Sequence, residues 1–186
     1  AYRHCIPRLS DPNLRASFEE HTAGIMSQEC GAMLALLLGP LQFVTRLRTR
    51  QPCLHRWIGR IYLGGGVLVG GLAGLYMSFF AFGGLPSRLG FGLLAIAWLY
   101  TGTRAYVAIR AGDTFAHRRW MVRNFALSFA AVMLRLYIPA SVMAGIRFAT
   151  AYPVIAWLCW VPNLLVAEWL VRRLPRPAGA TAAARG

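Results

Sequence analysis

Five long apolar stretches, separated by short polar or basic connections, dominate the chain. They cover about 24–44, 57–82, 89–108, 120–144 and 152–171. Each is close to the roughly 20 apolar residues that an α-helix needs to cross the hydrocarbon core of a bilayer. The pattern therefore predicts an all-α integral membrane protein built as a bundle of about five transmembrane helices.

Both ends of the chain are polar, which gives three predicted segments. Residues 1–23 form a polar N-terminal segment in which Ser10-Asp11-Pro12, a capping side chain before a proline, predicts a short surface helix over 12–21. The bundle occupies 24–171. The C-terminal segment, 172–186, is basic and Ala/Gly-rich, and we expect it to lack a fixed structure unless a partner holds it.

A glycine pattern marks the second span. Gly66, Gly70 and Gly74 recur at every fourth residue, so they share one face of the helix. Small residues at this spacing predict very close approach of a neighbouring helix.

The arginines predict the orientation. The connections after the first and third spans, with the C-terminal tail, contain fourteen arginines near helix ends, whereas the other side has five. Because cytoplasmic connections are enriched in basic residues, this predicts the N-terminus outside and the C-terminus inside. We expect the inner (plasma) membrane of a cell, with an organellar inner membrane as the alternative.

Composition excludes an ordinary soluble domain, because 57% of the residues are hydrophobic and only 14% are charged. All 20 basic residues are arginines, and the formal net charge is +14. They flank apolar stretches and do not alternate with exposed aromatic residues, which argues against a nucleic-acid partner. They suit anionic phospholipid instead. The predicted lipid-binding residues are Arg46, Arg48, Arg56, Arg60, Arg118, Arg119, Arg172 and Arg173.

A few charged residues fall inside the predicted spans, where a charge is expensive and marks a candidate site. Arg135, in the fourth span, is expected to pair with Glu29 near the outer end of the first. Glu168, near the inner end of the fifth span, is expected to pair with Arg60, Arg104, Arg123 or His117. Two hypotheses remain open for these pairs: they fix helix register, or they serve a proton or quinone site.

Two histidines begin the second and fourth spans in similar contexts, His55-Arg56-Trp57 and His117-Arg118-Arg119-Trp120. The similarity is compatible with a duplicated hairpin, although Trp and Arg are common at membrane interfaces. Imidazoles on diagonal spans could ligate b-type haem, with the glycine face of the second span making room for the ring. Alternatively, both are interfacial residues bonded to carbonyls, carboxylates or lipid phosphate. We predict no other metal site, since the cysteines have no paired spacing.

No catalytic motif is present, so an enzyme is the less favoured class. The segments GPLQF (39–43), HRWIGRIY (55–62), HRRWMVRNFALSFAAVMLRLYIP (117–139) and WLCWVPNLLVAEW (157–169) together resemble a family of predicted bacterial membrane proteins classed as a domain of unknown function. The resemblance implies a small helical membrane protein. It also implies a histidine in the first span, where this chain has Gln28 and Glu29, and that difference weakens the haem hypothesis.

Three functional hypotheses follow. The first is a non-catalytic, lipid-binding accessory subunit of a larger respiratory or photosynthetic membrane complex, with other membrane subunits as partners. The second is an electron-transfer protein with haem b held by His55 and His117. The third is a small transporter or quinone-site protein that uses Arg135 and Glu168.

Overall fold

The structure, a computed structural model, describes residues 22–175. It contains six helices there: α1 (Thr22–Phe43), α2 (Thr45–Arg50), α3 (Pro52–Ser78), α4 (Leu85–Arg110), α5 (Thr114–Met143) and α6 (Phe148–Arg173). All except α2 are long and apolar enough to cross a membrane, which confirms the five predicted spans. The surface helix predicted over 12–21 lies outside the described residues, as does most of the C-terminal tail.

Successive membrane-spanning helices pack antiparallel, as the contacts between α1 and α3 show. Gly31 of α1 meets Gly70 of α3, whereas Ala35, one turn later in α1, meets Gly66, one turn earlier in α3. The chain continues from α3 to α4 to α5, and α5 also touches α1, so these four helices form a closed bundle. Helix α6 packs on the outside of that bundle, against α4 and α5.

This arrangement gives the bundle two distinct ends. At one end, α1, α4 and α6 finish and α3 and α5 begin. We call it the basic end, because most described arginines lie there. The other end carries the α3–α4 and α5–α6 turns. The direction of the basic end relative to the membrane stays a prediction from the arginine counts.

Local sequence explains the turns. Gly83 and Gly84 have φ angles of +87° and +76°, a conformation that side chains with a Cβ rarely adopt, and they reverse the chain between α3 and α4. At the basic end, the carboxylate of Asp113 accepts a hydrogen bond of 2.8 Å from the Ala116 backbone N–H. This bond caps the first turn of α5.

The glycine face of α3 is a helix contact. A Cβ added to Gly31 would lie 2.5 Å from the Gly70 Cα, so the two backbones touch, as the glycine spacing predicts. A Cβ added to Gly70 would also lie 3.2 Å from the Trp98 ring. Close backbone packing therefore uses the space that the missing side chains leave at Gly66 and Gly70, where the haem hypothesis expects room for the ring.

Three spans depart from regular α-helix in their interiors. Helix α3 is α-helical over Pro52–Ile61, π-helical over Tyr62–Val69 and α-helical again over Gly70–Ser78. Helix α5 consists of Thr114–Ser128 and Ala130–Met143, which meet at Phe129. Helix α6 consists of Phe148–Leu158 and Val161–Arg173. Interior π-helical turns are rare and often occur at functional sites, which directs attention to Tyr62.

Candidate functional site

A hydrogen bond between Tyr62 and Asn124 joins α3 to α5 across the centre of the bundle. The Tyr62 hydroxyl donates to Asn124 Oδ1 at 2.7 Å, and both residues are fully buried. Tyr62 is also the first residue of the π-helical segment. The phenol side chain is long enough to reach a helix that is diagonal to its own.

Three more polar side chains complete this buried network: Trp98, Thr101 and Ser128. The Asn124 amide donates to the Trp98 carbonyl at 2.8 Å and to Thr101 Oγ1 at 2.9 Å. The Trp98 indole N–H donates to Ser128 Oγ at 2.9 Å. The five side chains therefore tie α3, α4 and α5 together, and each finds a partner inside the bundle.

The two candidate histidines lie two turns from this network, toward the basic end. His55 precedes Tyr62 by seven residues and His117 precedes Asn124 by seven, so each histidine shares a helix face with one partner of the central bond. Both histidines therefore lie toward the basic end, one on α3 and one on α5.

Their ring nitrogens have different surroundings. His117 Nδ1 lies 2.8 Å from the Ala105 carbonyl oxygen. Because a carbonyl only accepts, Nδ1 must be the donor, and in the neutral ring the lone pair is then on Nε2. His55 Nδ1 is buried without a hydrogen-bond partner among residues 22–175.

Two further buried polar atoms near the basic end lack hydrogen-bond partners within the described chain: Gln42 Nε2 and Arg119 Nε. The Gln42 side chain borders Gly59, which lies one turn after His55, since a Cβ added to Gly59 would be 3.3 Å from Gln42 Oε1. Buried polar atoms are normally satisfied. Several unsatisfied atoms at one end of the bundle are a reason to consider a polar ligand there.

Glu168 pairs with Arg123, one of the four partners considered from sequence. Arg123 Nε lies 2.5 Å from Glu168 Oε1, and Nη2 lies 3.0 Å from Oε2, so the contact is bidentate. It joins α5 to α6. The Arg123 guanidinium also lies 4.7 Å from the Trp120 ring centroid, and Arg104 lies 5.3 Å from the same centroid.

Arg135 lies beside Glu29 on the outside of the bundle. Its Nη2 is 3.3 Å from Glu29 Oε1, and its Nη1 donates to the Ala131 carbonyl at 3.0 Å. The exposed fractions of the two side chains are 57% and 58%. This pair joins α5 to α1, and nothing in the described part of the chain covers it.

The residues predicted to bind lipid surround the basic end. Most are exposed, and some stack on tryptophan: Arg60 lies 5.1 Å from the Trp57 centroid and Arg173 lies 3.9 Å from the Trp169 centroid. The exposed members are Arg46, Arg48, Arg56, Arg60, Arg118, Arg172 and Arg173. Arg119 is partly buried against Phe115.

Fold and charge placement together define a polytopic helical membrane protein with polar contacts inside its spans. The family model described as "Predicted membrane protein (DUF2306)" matches residues 29–171. The chain belongs to this family, whose description assigns no activity. Neither the comparison with curated proteins nor the comparison with solved structures gives a match.

Sequence analysis missed the central network. Neutral polar residues such as Asn124 and Ser128 can bond to any neighbouring helix, so the sequence does not show which residues they contact. One signal was available: the spacing of seven residues from each histidine to Tyr62 or Asn124, which places a second pair of polar residues on the facing surfaces of the same two helices.

Proposed function

We propose that this protein is a non-catalytic, lipid-binding accessory subunit of a larger membrane complex, with respiratory and photosynthetic complexes as candidates. The observation that carries the proposal is the Arg135–Glu29 pair on the outside of the isolated bundle. Charged residues inside membrane spans nearly always face a protein interior or a water-filled cavity. A pair that faces outward in one chain is best explained by a second protein that covers it.

The depth of the pair supports this argument. Arg135 lies eight residues before Met143, the end of a helix of 30 residues. At ~1.5 Å per residue, α5 is about 45 Å long and exceeds a ~30 Å hydrocarbon core by about 7 Å at each end. If α5 is centred, the Arg135 Cα lies about 12 Å from the helix end, or about 5 Å inside the hydrocarbon. Glu29 Oε1 is 3.3 Å from Arg135 Nη2, so the two charged groups lie at a similar depth.

The direction of the Arg135 side chain makes escape to the interface costly. Helical side chains tilt toward the helix N-terminus, which for α5 is the far side of the membrane. The bond to the Ala131 carbonyl, one turn deeper, agrees with this direction. The guanidinium therefore points toward the membrane centre, where lipid phosphate cannot reach it.

Lipid binding is proposed for the basic end, because exposed arginines there stand beside tryptophans at the ends of apolar helices. Each arginine near an anionic surface contributes about 1 kcal/mol, which is roughly fivefold in affinity. Replacement of Arg46 and Arg172 by Gln should weaken binding to phosphatidylserine vesicles about fivefold per residue. The matched control, Arg147→Gln, removes an exposed arginine at the opposite end. Equal losses for both ends would contradict this proposal.

Native electrophoresis of source membranes solubilised in digitonin tests the subunit proposal. We expect the chain to co-migrate with a complex well above its mass of 20.5 kDa. Arg135→Leu should release it from that complex while Arg147→Leu should not. A chain that migrates alone in both native and variant membranes would overturn the proposal.

A second candidate function, electron transfer by haem b, is favoured by the placement of His55 and His117. A histidine that donates through Nδ1 to a backbone carbonyl and keeps its Nε2 lone pair is arranged as metal-ligating histidines usually are. His55 Nδ1 itself and Gln42 Nε2, whose side chain borders Gly59, are buried without partners among residues 22–175, so a polar ligand there would find unsatisfied groups. When bound, haem would supply one-electron transfer.

A visible spectrum separates these two functions. Protein purified from cells supplied with haem precursor would show a Soret band if the second candidate is correct, and His117→Ala would remove it. Absence of the band in both proteins would eliminate the haem hypothesis.

The transporter or quinone-site hypothesis receives less support from the geometry. Arg135 and Glu168 belong to separate ion pairs, one between α1 and α5 and the other between α5 and α6. A cleft of about 260 Å³ between α1, α5 and α6 has a mostly apolar lining that includes Phe43, Phe125 and Phe129, and neither charged residue lines it. If Arg135→Leu abolished a transport activity and left assembly intact, this hypothesis would replace the subunit proposal.

The apolar helices and the family show that the chain is a membrane protein that crosses the bilayer several times. Within that class, we propose the inner (plasma) membrane, with an organellar inner membrane as the alternative. Localisation of a tagged full chain by membrane fractionation tests this choice.

A further inference from the structure

We infer that the face formed by α1 and α5 binds a second copy of this chain, so that two Arg135–Glu29 pairs meet in one interface. This inference rests on the proposed function and specifies it: the subunit enters its complex as a dimer, and the second copy is the protein that covers the pair. The first observation is that the five spans differ in how much of each is buried. Only 17% of the residues in the apolar centre of α1, and the same share in α5, are buried, against 33% to 39% in the other three spans. The two least covered helices are the two that carry the exposed charges.

The charges on this face are self-complementary. A guanidinium has five N–H donors, and the described contacts of Arg135 use two of them. Glu29 accepts one hydrogen bond, from Arg135, and its carboxylate has further acceptor capacity. In a two-fold interface the same patch faces itself, so the cation of one copy can meet the anion of the other, and the reverse contact forms by symmetry. A partner of one charge sign could satisfy only half of this patch.

Exposed residues around the pair form a continuous stripe along α1. Exposed residues recur there at intervals of three and four, the spacing of a helix–helix seam: Met26, Glu29, Cys30, Met33 and Leu37. Methionine side chains adapt readily to a partner surface. On α5, Leu136 is exposed next to Arg135. The charges are thus enclosed by apolar side chains, which would exclude lipid and water from a four-residue charge cluster.

Cys30 provides a direct probe, because it is exposed and adjacent to Glu29. We would use the full chain in native membranes with Cys5 and Cys53 replaced by Ser, while Cys159 stays because it is buried. A short bis-maleimide should give a covalent species of twice the chain mass. Two controls should not: Cys30→Ser in the same background, and Leu93→Cys combined with Cys30→Ser, which moves the thiol to an exposed site on α4.

Charge reversal shows whether Arg135 and Glu29 form ion pairs between two copies or only within one copy. Glu29→Arg alone and Arg135→Glu alone each leave two like charges on every copy, so each should reduce cross-linked dimer at least tenfold. When the two variants are expressed together with different tags, the Glu29→Arg copy, which carries two cations, can face the Arg135→Glu copy, which carries two anions. Cross-linked dimer that contains both tags should then recover. Because every chain in this mixture still lacks its internal pair, recovery cannot arise from restored folding of single chains.

Each outcome decides the inference. Recovery of mixed dimer supports it. Cross-linking of Cys30 to a different membrane protein would overturn the second copy as partner and leave the proposed subunit function standing. A chain that forms no adduct and migrates as a monomer would overturn both.

Discussion

Replacement of Asn124 by Leu tests the central network most sharply. Leucine has the same branched arrangement of four side-chain heavy atoms and a larger volume, so the change removes hydrogen bonds without opening a cavity. Three bonds are lost: the one from Tyr62 at 2.7 Å, and those to the Trp98 carbonyl at 2.8 Å and to Thr101 Oγ1 at 2.9 Å. The Tyr62 hydroxyl keeps only a long contact of 3.4 Å to Ser128 Oγ.

The expected loss can be estimated from these contacts. Hydrogen bonds between membrane helices contribute about 0.6 kcal/mol each on average, so three account for about 2 kcal/mol. A buried hydroxyl left nearly unsatisfied adds about 1–3 kcal/mol. The free energy of unfolding should therefore fall by roughly 3–5 kcal/mol. Tyr62→Phe removes one bond and leaves the buried Asn124 Oδ1 without its donor, so it should cost less, about 1–3 kcal/mol.

Reversible unfolding in bicelles by steric trapping measures these differences. A matched pair of threonines on α4 serves as control. Thr101 is buried and accepts the Asn124 amide, whereas Thr103 is exposed and bonds only to the Leu99 carbonyl of its own helix. Thr101→Val should be clearly destabilising and Thr103→Val nearly neutral. If Asn124→Leu changed stability by less than about 0.5 kcal/mol, the network would not be what holds α3, α4 and α5 together.

Two further predictions concern helix contacts. Glu168→Gln should lower the free energy of unfolding by about 1–3 kcal/mol, because it replaces a charge-assisted bidentate contact with Arg123. Adding Arg123→Gln should cost less than the sum of the single changes, and additive losses in a double-mutant cycle would show that the pair is not coupled. Gly31→Ala should cost about 1–3 kcal/mol in thermal unfolding, since its Cβ would lie 2.5 Å from the Gly70 Cα. Gly64→Ala, where the added Cβ meets nothing within 4 Å, is its control, and an equal loss there would refute the packing argument.

Hydropathy was sufficient to predict the five spans, because each apolar stretch has the length that a bilayer imposes. The glycine spacing in α3 likewise predicted close helix contact. What it could not predict was which helix fills the space. Gly31 of α1 completes that contact, and a glycine preceded by Gln-Glu-Cys gives no sign of facing another glycine.

The polar interior was only partly predictable. Charged residues in a membrane span are few, so the candidate partners of Arg135 and Glu168 could be named from depth alone. Neutral polar residues are more numerous, and their pairing depends on helix rotation. Tyr62 reaches Asn124 from the first residue of a π-helical segment, and no feature of the glycine-rich run predicted that change of hydrogen-bond register.

Native mass spectrometry of the chain ejected from its own membrane vesicles, without detergent, tests the central claim that another protein covers the Arg135–Glu29 face. We predict that the chain leaves the membrane in a species heavier than 20.5 kDa by at least one further polypeptide, and that Arg135→Leu reduces that species. A spectrum in which the unmodified chain carries lipid but no protein would contradict the claim.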